Sequence, residues 1–484
     1  MTPAAIITVI SAYFAVILFI SWFTGRKSDN AGFFSGNRKQ SWYVVAIAMI
    51  GSAMSGVTFV SVPGMVATSG FGYMQMALGF IAGQIVIAFV LIPLFYRMNL
   101  VSIYGYLENR FGLSSYRTGA WFFFISKMLG ASVRLYLVCI ALQMMVFGPL
   151  GLPFIVNVAV TVLILIAYTF RGGVKAVIWI DFLKTFCMIV SIALCTIFIS
   201  KSLGFTFGSM CEAVAGSDMS RIFYFDDPDH PQYFFKQFFG GMFTLIAMTG
   251  LDQDMMQRNL SCKNSQKNII TSALLQTVVI FLFLTLGVLL YFFAGANGID
   301  ATGDTLFPAV ATSGLLPAVV GIVFVVGLVS CSYAAGGSAL TALTTSFTVD
   351  ILGTAGKSEK EVKSMREKVH IGMAVCMGLT IAVFNFINNT SAIDAVYKLA
   401  SYTYGPILGM FAFGILTKRR TKDRCVPLIS IAAPAVCLVL QLNSERWFGG
   451  YQFSYELLII NALLTFIGLY LFSSKADDLR AAKR

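Results

Sequence analysis

The feature that most constrains this chain is a succession of apolar runs, each close to the ~20 residues that cross the hydrocarbon of a bilayer. Thirteen are legible, with soft ends: 4–24, 42–64, 73–97, 116–148, 152–170, 173–200, 234–257, 268–294, 316–352, 369–389, 394–417, 424–443 and 452–473. Only 12% of residues are charged against 57% hydrophobic, and the mean hydropathy is +0.80. A soluble domain has nowhere to hide that much apolar surface, so the pattern predicts an all-α integral membrane protein. The first run has no basic stretch before it and no small-residue cleavage site after it, which makes it a retained helix rather than a secretory signal.

The net charge of +12 does not point to nucleic acid, because the basic residues are segregated by loop. One side carries Arg26, Lys27, Arg38 and Lys39; Arg97, Arg110 and Arg117; Arg171 and Lys175; Arg258, Lys263 and Lys267; the cluster 357–368; Lys418 to Arg424; and the tail. The opposite loops hold little beyond Lys201, Arg221, Lys236 and Arg446, and the 201–233 loop contains Asp226, Asp227 and Asp229. Basic loops stay in the cytoplasm. The N-terminus is therefore expected outside and the C-terminus inside, in a plasma or inner membrane. Lipid and a small-molecule solute are the expected partners, with no obligate protein partner evident. The nine cysteines form no CxxC and read as small packing residues. His230 and His370 fall in apparent loops, so no His-based metal or catalytic cluster is expected, and the chain does not read as an enzyme.

The run 42–64, WYVVAIAMIGSAMSGVTFVSVPG, is small and polar in its middle, Gly51 to Gly56. A spanning helix breaks at mid-depth only where protein or a water-filled cavity covers the freed backbone, and such breaks are where secondary transporters bind solute and ions. The plainer reading is a small-residue packing face. Four charges lie deep in apolar runs: Lys127, Arg134, Asp181 and Lys184. Each costs roughly 2.5–3.5 kcal/mol at a helix centre and needs a partner, a cavity or a task. The guanidinium of Arg134 suits a carboxylate held bidentately, either on a solute or on an internal acid such as Asp181. Asp181 and Lys184 are three apart, hence neighbours on one face, as a structural or an ion-mimicking pair. Asp254 and Arg258 have the i,i+4 spacing of a helix pair, and Asp252 and Asp254 read as inner-gate or structural charges. The segment 295–316 is expected to hold a short helix acting as a lid, and 356–368 a solvated helical linker.

FFSGNRKQSWYVV, SAMSGVTFVSVPG, YTFRGGVKAVIWID, GLDQDMMQR, SALTALTTSFTVDI and YGPILGMFAFGILTKRR occur in an order that resembles the sodium:solute symporter family over roughly 5–475. The resemblance implies a LeuT-type core of two inverted five-helix repeats within about 13 transmembrane helices. The parts would be an extra N-terminal helix and loop (1–41), the first repeat (42–200), an outer loop (201–233), the second repeat (234–420), and extra helices with the tail (421–484). It places Ser55, Thr58 and Phe243 at the solute, with Tyr73 and Gln75 as further candidates. Arg134 falls where sialic acid transporters of the family hold a carboxylate, which implies an anionic solute such as a sialic or other sugar acid.

The family's common sodium site would draw carbonyls from Gly51, Met54 and Cys331 and two hydroxyls from the ninth span. This chain has Ala334 and Ala335 there, followed by Ser338. Hard cations want oxygen ligands, and methyl groups offer none. Asp181 matches the family's acid near the sodium sites, while Lys184 stands where a neutral polar residue is usual. The expectation is a disabled sodium site with Lys184 substituting for the ion, hence proton-coupled, exchange or facilitated transport; conventional Na+ coupling through Asp181, Ser338 and carbonyls is the alternative. A channel would need a continuous polar lining, a membrane enzyme a legible nucleophile or acid–base pair, and a solute sensor only the binding site.

Overall fold

The computed structural model describes residues 3–25, 41–98, 100, 102–170, 173–261, 264–387, 392–449, 451, 453 and 455–474. Loop 26–40, Arg171, Lys263 and the tail 475–484, which carry part of the orientation argument, lie outside the described residues, as does the FFSGNRKQ half of the first motif.

The architecture is helical. In order the long elements are α1 (Pro3–Gly25), α2 (Trp42–Ala53), α3 (Gly56–Gly64), α4 (Tyr73–Val86, continued by Ile87–Leu91 and Ile92–Met98), α5 (Leu113–Leu142), α6 (Phe154–Thr169) and α7 (Gly173–Ser202). Then follow α8 (Phe234–Leu245, continued by Ile246–Gly250), α9 (Gln253–Asn259), α10 (Ser265–Ala296), α11 (Ala318–Ser346), α12 (Glu359–Ile387), α13 (Ala392–Leu416), α14 (Val426–Leu442) and α15 (Leu457–Leu471). Among the described residues, nine helices are long and apolar enough to cross a membrane. The pairs α2–α3 and α8–α9 are long and apolar enough only when taken together and are bent by 59° and 71°, which brings the number to eleven if each pair is one bent span. The apolar helices α6 and α15 are shorter, at 16 and 15 residues.

Packing brings α4 along α8, α7 along α11, and α13 along both α5 and α15. Small residues set how close the helices come. A Cβ on Gly79 would lie 2.9 Å from the Met242 amide nitrogen, and one on Gly241 would lie 2.9 Å from Met76 Cγ, so α4 and α8 meet almost backbone to backbone. The large apolar side chains left outside, such as Phe186, Leu379 and Leu442, are what a bilayer covers.

Two expectations change. His370 is not in a loop: it lies within α12, 1% exposed, between the hydroxyls of Thr169 (2.8 Å) and Thr344 (2.9 Å), where its hydrogen bonds tie three helices together. The 356–368 linker is not separate from the next span, because α12 begins at Glu359 and runs through it unbroken. The 295–316 segment does contain a short helix, Leu306–Thr312. Its Phe307 stacks on Phe59 of α3 with centroids 5.3 Å apart, so that end of the segment is packed down on the first bent span.

Candidate functional site

The site forms where the two bent spans face each other. The first breaks at Met54 and Ser55, both with extended backbone. Helix breaks expose backbone donors that need partners. Here the Thr58 hydroxyl accepts from the Ser55 amide at 3.3 Å, one half of a capping box that restarts the helix at α3. The second span breaks at Leu251 and Asp252, and the Asp252 carboxylate caps α9 by accepting from the Met255 amide at 3.1 Å. Polar side chains thus hold both breaks open inside an apolar bundle.

Between the breaks lies a cavity. Met54, Ser55, Val57 and Thr58 line it from the first break, and Thr244, Met248, Thr249 and Asp252 from the second. Tyr73 and Phe80 of α4, Lys127 and Arg134 of α5, Ala335 and Ser338 of α11, and Tyr397 and Tyr404 of α13 complete the wall. On the side of the 201–233 loop the cavity is roofed by tyrosines: Tyr73 and Tyr397 share a hydroxyl hydrogen bond of 3.1 Å, and Tyr397 packs on Tyr455 at 4.9 Å between centroids.

Toward the basic loops the floor is ionic. Lys127 Nζ lies 2.6 Å from Asp254 and 3.2 Å from Asp252, which also accepts from the Tyr404 hydroxyl. Arg258 Nη2 lies 2.8 Å from Asp254, the i,i+4 pair its spacing predicts. Arg258 Nη1 reaches away from its own helix to the Asp181 carboxylate and the Ser52 hydroxyl, and to Ser338 at 3.3 Å. All of these side chains are buried. The network therefore ties α2, α5, α7, α9, α11 and α13 together at one depth.

Arg134 stands apart. It lies seven residues beyond Lys127, about 10 Å further along α5, and it is half-buried in the cavity wall. Among the described residues it has no hydrogen-bond or ion-pair partner. The internal partner considered for it, Asp181, is taken by Arg258 instead.

Of the expected solute contacts, Ser55, Thr58, Tyr73 and Arg134 line the cavity, but Gln75 and Phe243 do not. Gln75 is fully buried behind the wall: its amide donates to the Gln232 carbonyl at 2.8 Å and accepts from the Tyr224 amide at 3.1 Å, pinning the outer loop. Residues two apart on a helix cannot share a face, so Tyr73 and Gln75 are alternatives. Phe243 packs against the core on a neighbouring face, and its successor Thr244, in register with Met248, points into the cavity.

Of the expected ion-site residues, Met54, Ala335 and Ser338 reach the cavity, while Gly51, Asp181, Lys184, Cys331 and Ala334 lie behind it. Asp181 and Lys184 do not form the expected pair. The carboxylate is drawn across to Arg258, Ser52 and Ser338 through Oδ2, and neither Asp181 Oδ1 nor Lys184 Nζ has a hydrogen-bond partner among the described residues. Lys184 packs beside Gly51, where an added Cβ would come within 3.5 Å of its Cδ. The residues that sequence reasoning passed over are Thr244, Thr249, Tyr397 and Tyr404, together with the Asp181 partner, Arg258, which lies 77 positions away.

Residues 33–424 match the sodium:solute symporter family. The sodium/sialic acid symporter NanT of Aliivibrio fischeri is 25% identical, covering 90% of this chain and 86% of that protein. The human sodium-coupled monocarboxylate transporter 1 is 26% identical, covering 91% and 71%. A Na+-coupled sialic acid symporter, solved in a substrate-bound outward-open state, superposes with a TM-score of 0.82 at 19% identity, over 96% of this chain and 97% of that one.

Proposed function

This chain belongs to the sodium:solute symporter family, and from that premise we propose that it is a secondary carrier moving a small, carboxylate-bearing organic solute by alternating access. The observation that carries the reading is Arg134, a cation in the cavity wall with no protein partner among the described residues. A guanidinium in that position has a fork of donors to offer a carboxylate. Thr244, Thr249, Ser55 and Thr58 bring hydroxyls to the same space, while Val57, Phe80 and Met248 give it apolar walls. With the tyrosine roof closed, the cavity has about 100 Å³ of free space. That is below the ~150 Å³ that holds benzene in an engineered cavity. A short carboxylic acid fits that space, and a sialic or sugar acid needs the cavity to widen.

The segregation of basic loops supports a cytoplasmic C-terminus and an outer N-terminus. Nine long apolar helices, two bent pairs taken as one span each and two shorter apolar helices are consistent with 13 crossings, and the two bent pairs, one opening 42–200 and one opening 234–420, with two inverted repeats.

Sodium coupling of the usual kind is not what the residues favour. Ala334 and Ala335 bring methyl groups where the family site needs hydroxyls, and Lys184 sits beside Gly51, ready to stand in for the ion's charge. Proton-coupled, exchange or facilitated transport follows. Conventional sodium symport is the competing reading, favoured by the sodium-coupled relatives.

The test is uptake of labelled carboxylates and neutral sugars into liposomes holding the purified protein. Saturable carboxylate uptake with counterflow is expected, unchanged when choline replaces sodium. Arg134→Ala removes charge-assisted hydrogen bonds of about 1.5–3 kcal/mol each, so affinity should fall at least about tenfold. Neutral sugars carried equally well by both proteins would sink the carboxylate assignment, and strict sodium dependence would sink the coupling assignment.

A further inference from the structure

The cavity wall repeats one pair of groups at two levels. On α5, Lys127 and Arg134 are seven residues apart; on α13, Tyr397 and Tyr404 are also seven apart. The two helices pack against each other and run antiparallel: Ser126 meets Thr403 at 2.7 Å, while Arg110, just before α5, reaches the carbonyls of Gly414 and Thr417 at the far end of α13. Seven residues are almost two turns, so each pair shares a helix face with a rise of about 10 Å. At the lower level Lys127 Nζ, at 3.2 Å, and the Tyr404 hydroxyl both hold one carboxylate, Asp252. The same displacement along both helices brings Arg134 and Tyr397 to the upper level, and both line the cavity there. A cation and a phenol are matched as they are below, but among the described residues no carboxylate pairs with either.

Proton counting makes the upper level a donor site. Tyr73 and Tyr397 share one hydrogen bond, 3.1 Å between hydroxyl oxygens. Two hydroxyls carry two protons, and the shared bond uses one of them. Whichever oxygen accepts, its own proton has no other partner among the described residues, and both side chains line the cavity. An enclosed hydroxyl proton without an acceptor is costly. A carboxylate drawn in by Arg134 supplies that acceptor.

We propose that the Tyr73–Tyr397 pair belongs to the solute site: its spare hydroxyl donates to the carboxylate that Arg134 holds, so the solute's acid group takes the place at the upper level that Asp252 has at the lower one. The inference rests on the reading of Arg134 as the carboxylate's anchor. It makes the tyrosine pair a selector as well as a roof. A hydroxyl that donates to an anion becomes a better acceptor for the next one in the chain, so a bound carboxylate tightens the bond that closes the cavity. A neutral oxygen is the weaker acceptor and tightens it less.

The test is the half-saturation concentration for uptake of labelled lactate and labelled sialic acid by the purified protein in liposomes. Wild type is compared with Tyr73→Phe, Tyr397→Phe, the double variant and Arg134→Ala. After either single change the remaining tyrosine has lost its partner and still has a proton to donate, so half-saturation should stay within about threefold of wild type. The double variant has no donor left, and its half-saturation should rise at least about tenfold, the loss of a charge-assisted hydrogen bond. Thermal unfolding should not follow this pattern: one roof bond is lost in all three variants, so their Tm values should agree. Single variants as impaired as the double one would show that the pair acts as a lid alone and overturn the proposal. A double variant with normal half-saturation, beside an impaired Arg134→Ala protein, would overturn it while leaving the carboxylate-carrier reading intact. Uptake of neither acid by wild type would overturn that reading and this inference with it.

Discussion

Replacing Asp254 by asparagine preserves its volume and removes the one negative charge that, among the described residues, touches both Lys127 (2.6 Å) and Arg258 (2.8 Å). Breaking a buried ion pair from one side costs about 3–5 kcal/mol, because the partner is left charged and dry. Here two partners are stranded, and each keeps a second anion: Lys127 keeps Asp252 and Arg258 keeps Asp181. The lower half of that range, about 3–4 kcal/mol, is therefore expected. An unfolding entropy of about 2.1 cal/mol/K per residue gives about 1 kcal/mol/K for this length, so the apparent Tm should drop by about 3–4 °C. Asp252→Asn should cost less, since Lys127 keeps its shorter contact to Asp254. The deciding measurement is a cycle of Tm values for Asp254→Asn, Lys127→Gln and the double variant. The double variant should be more stable than the two losses added together, because it deletes a charge of each sign. Additive losses, or an Asp252→Asn effect larger than that of Asp254→Asn, would refute the view that opposed charges hold the floor.

Three further outcomes can be checked. Tyr73→Phe or Tyr397→Phe removes the 3.1 Å roof hydrogen bond, worth about 1 kcal/mol, so maleimide labelling of a cysteine placed at Thr244 should rise about fivefold, with the double variant no faster than either single one. Asp423 caps α5 from another loop, accepting from the Ser114 and Ser115 amides at 2.8 and 2.9 Å; Asp423→Ala should lower stability by about 1–2 kcal/mol by denaturant titration and leave solute affinity unchanged. Restoring hydroxyls with Ala334→Ser and Ala335→Ser while removing the charge with Lys184→Gln should make uptake sodium-stimulated; a triple variant that folds and ignores sodium would show the site to be misassigned.

The sequence made the spans legible because a bilayer demands long apolar runs, and it made the first break a candidate because Gly51 to Gly56 is small and polar in the middle of such a run. It pointed to Arg134 for the same reason: a charge at that depth needs a purpose. What stayed hidden was rotation and distance. Tyr73 and Gln75 look equivalent in a line of letters, yet they lie about 200° apart around α4, so one faces the cavity and the other the outer loop. Phe243 and Thr244 differ by about 100°, enough to exchange wall for core. The Asp181–Lys184 spacing predicts a local pair by geometry that is sound for an isolated helix. A bundle overrides it, because Arg258 arrives from α9 and takes the Asp181 carboxylate.

Charge balance around the cavity bears on both the solute and the coupling ion. Among the described residues, the floor and the helices behind it hold Lys127, Lys184 and Arg258 against Asp181, Asp252 and Asp254, three of each sign when all are ionised. That set is neutral without help. Arg134 is the surplus, and it is also the cation that lines the cavity without a partner. A solute with one carboxylate brings the assembly to zero. A sodium ion added to the same region would raise an existing positive excess, in a medium where uncompensated charge is expensive. The arrangement thus favours monoanions over neutral solutes and disfavours an inorganic cation travelling with them.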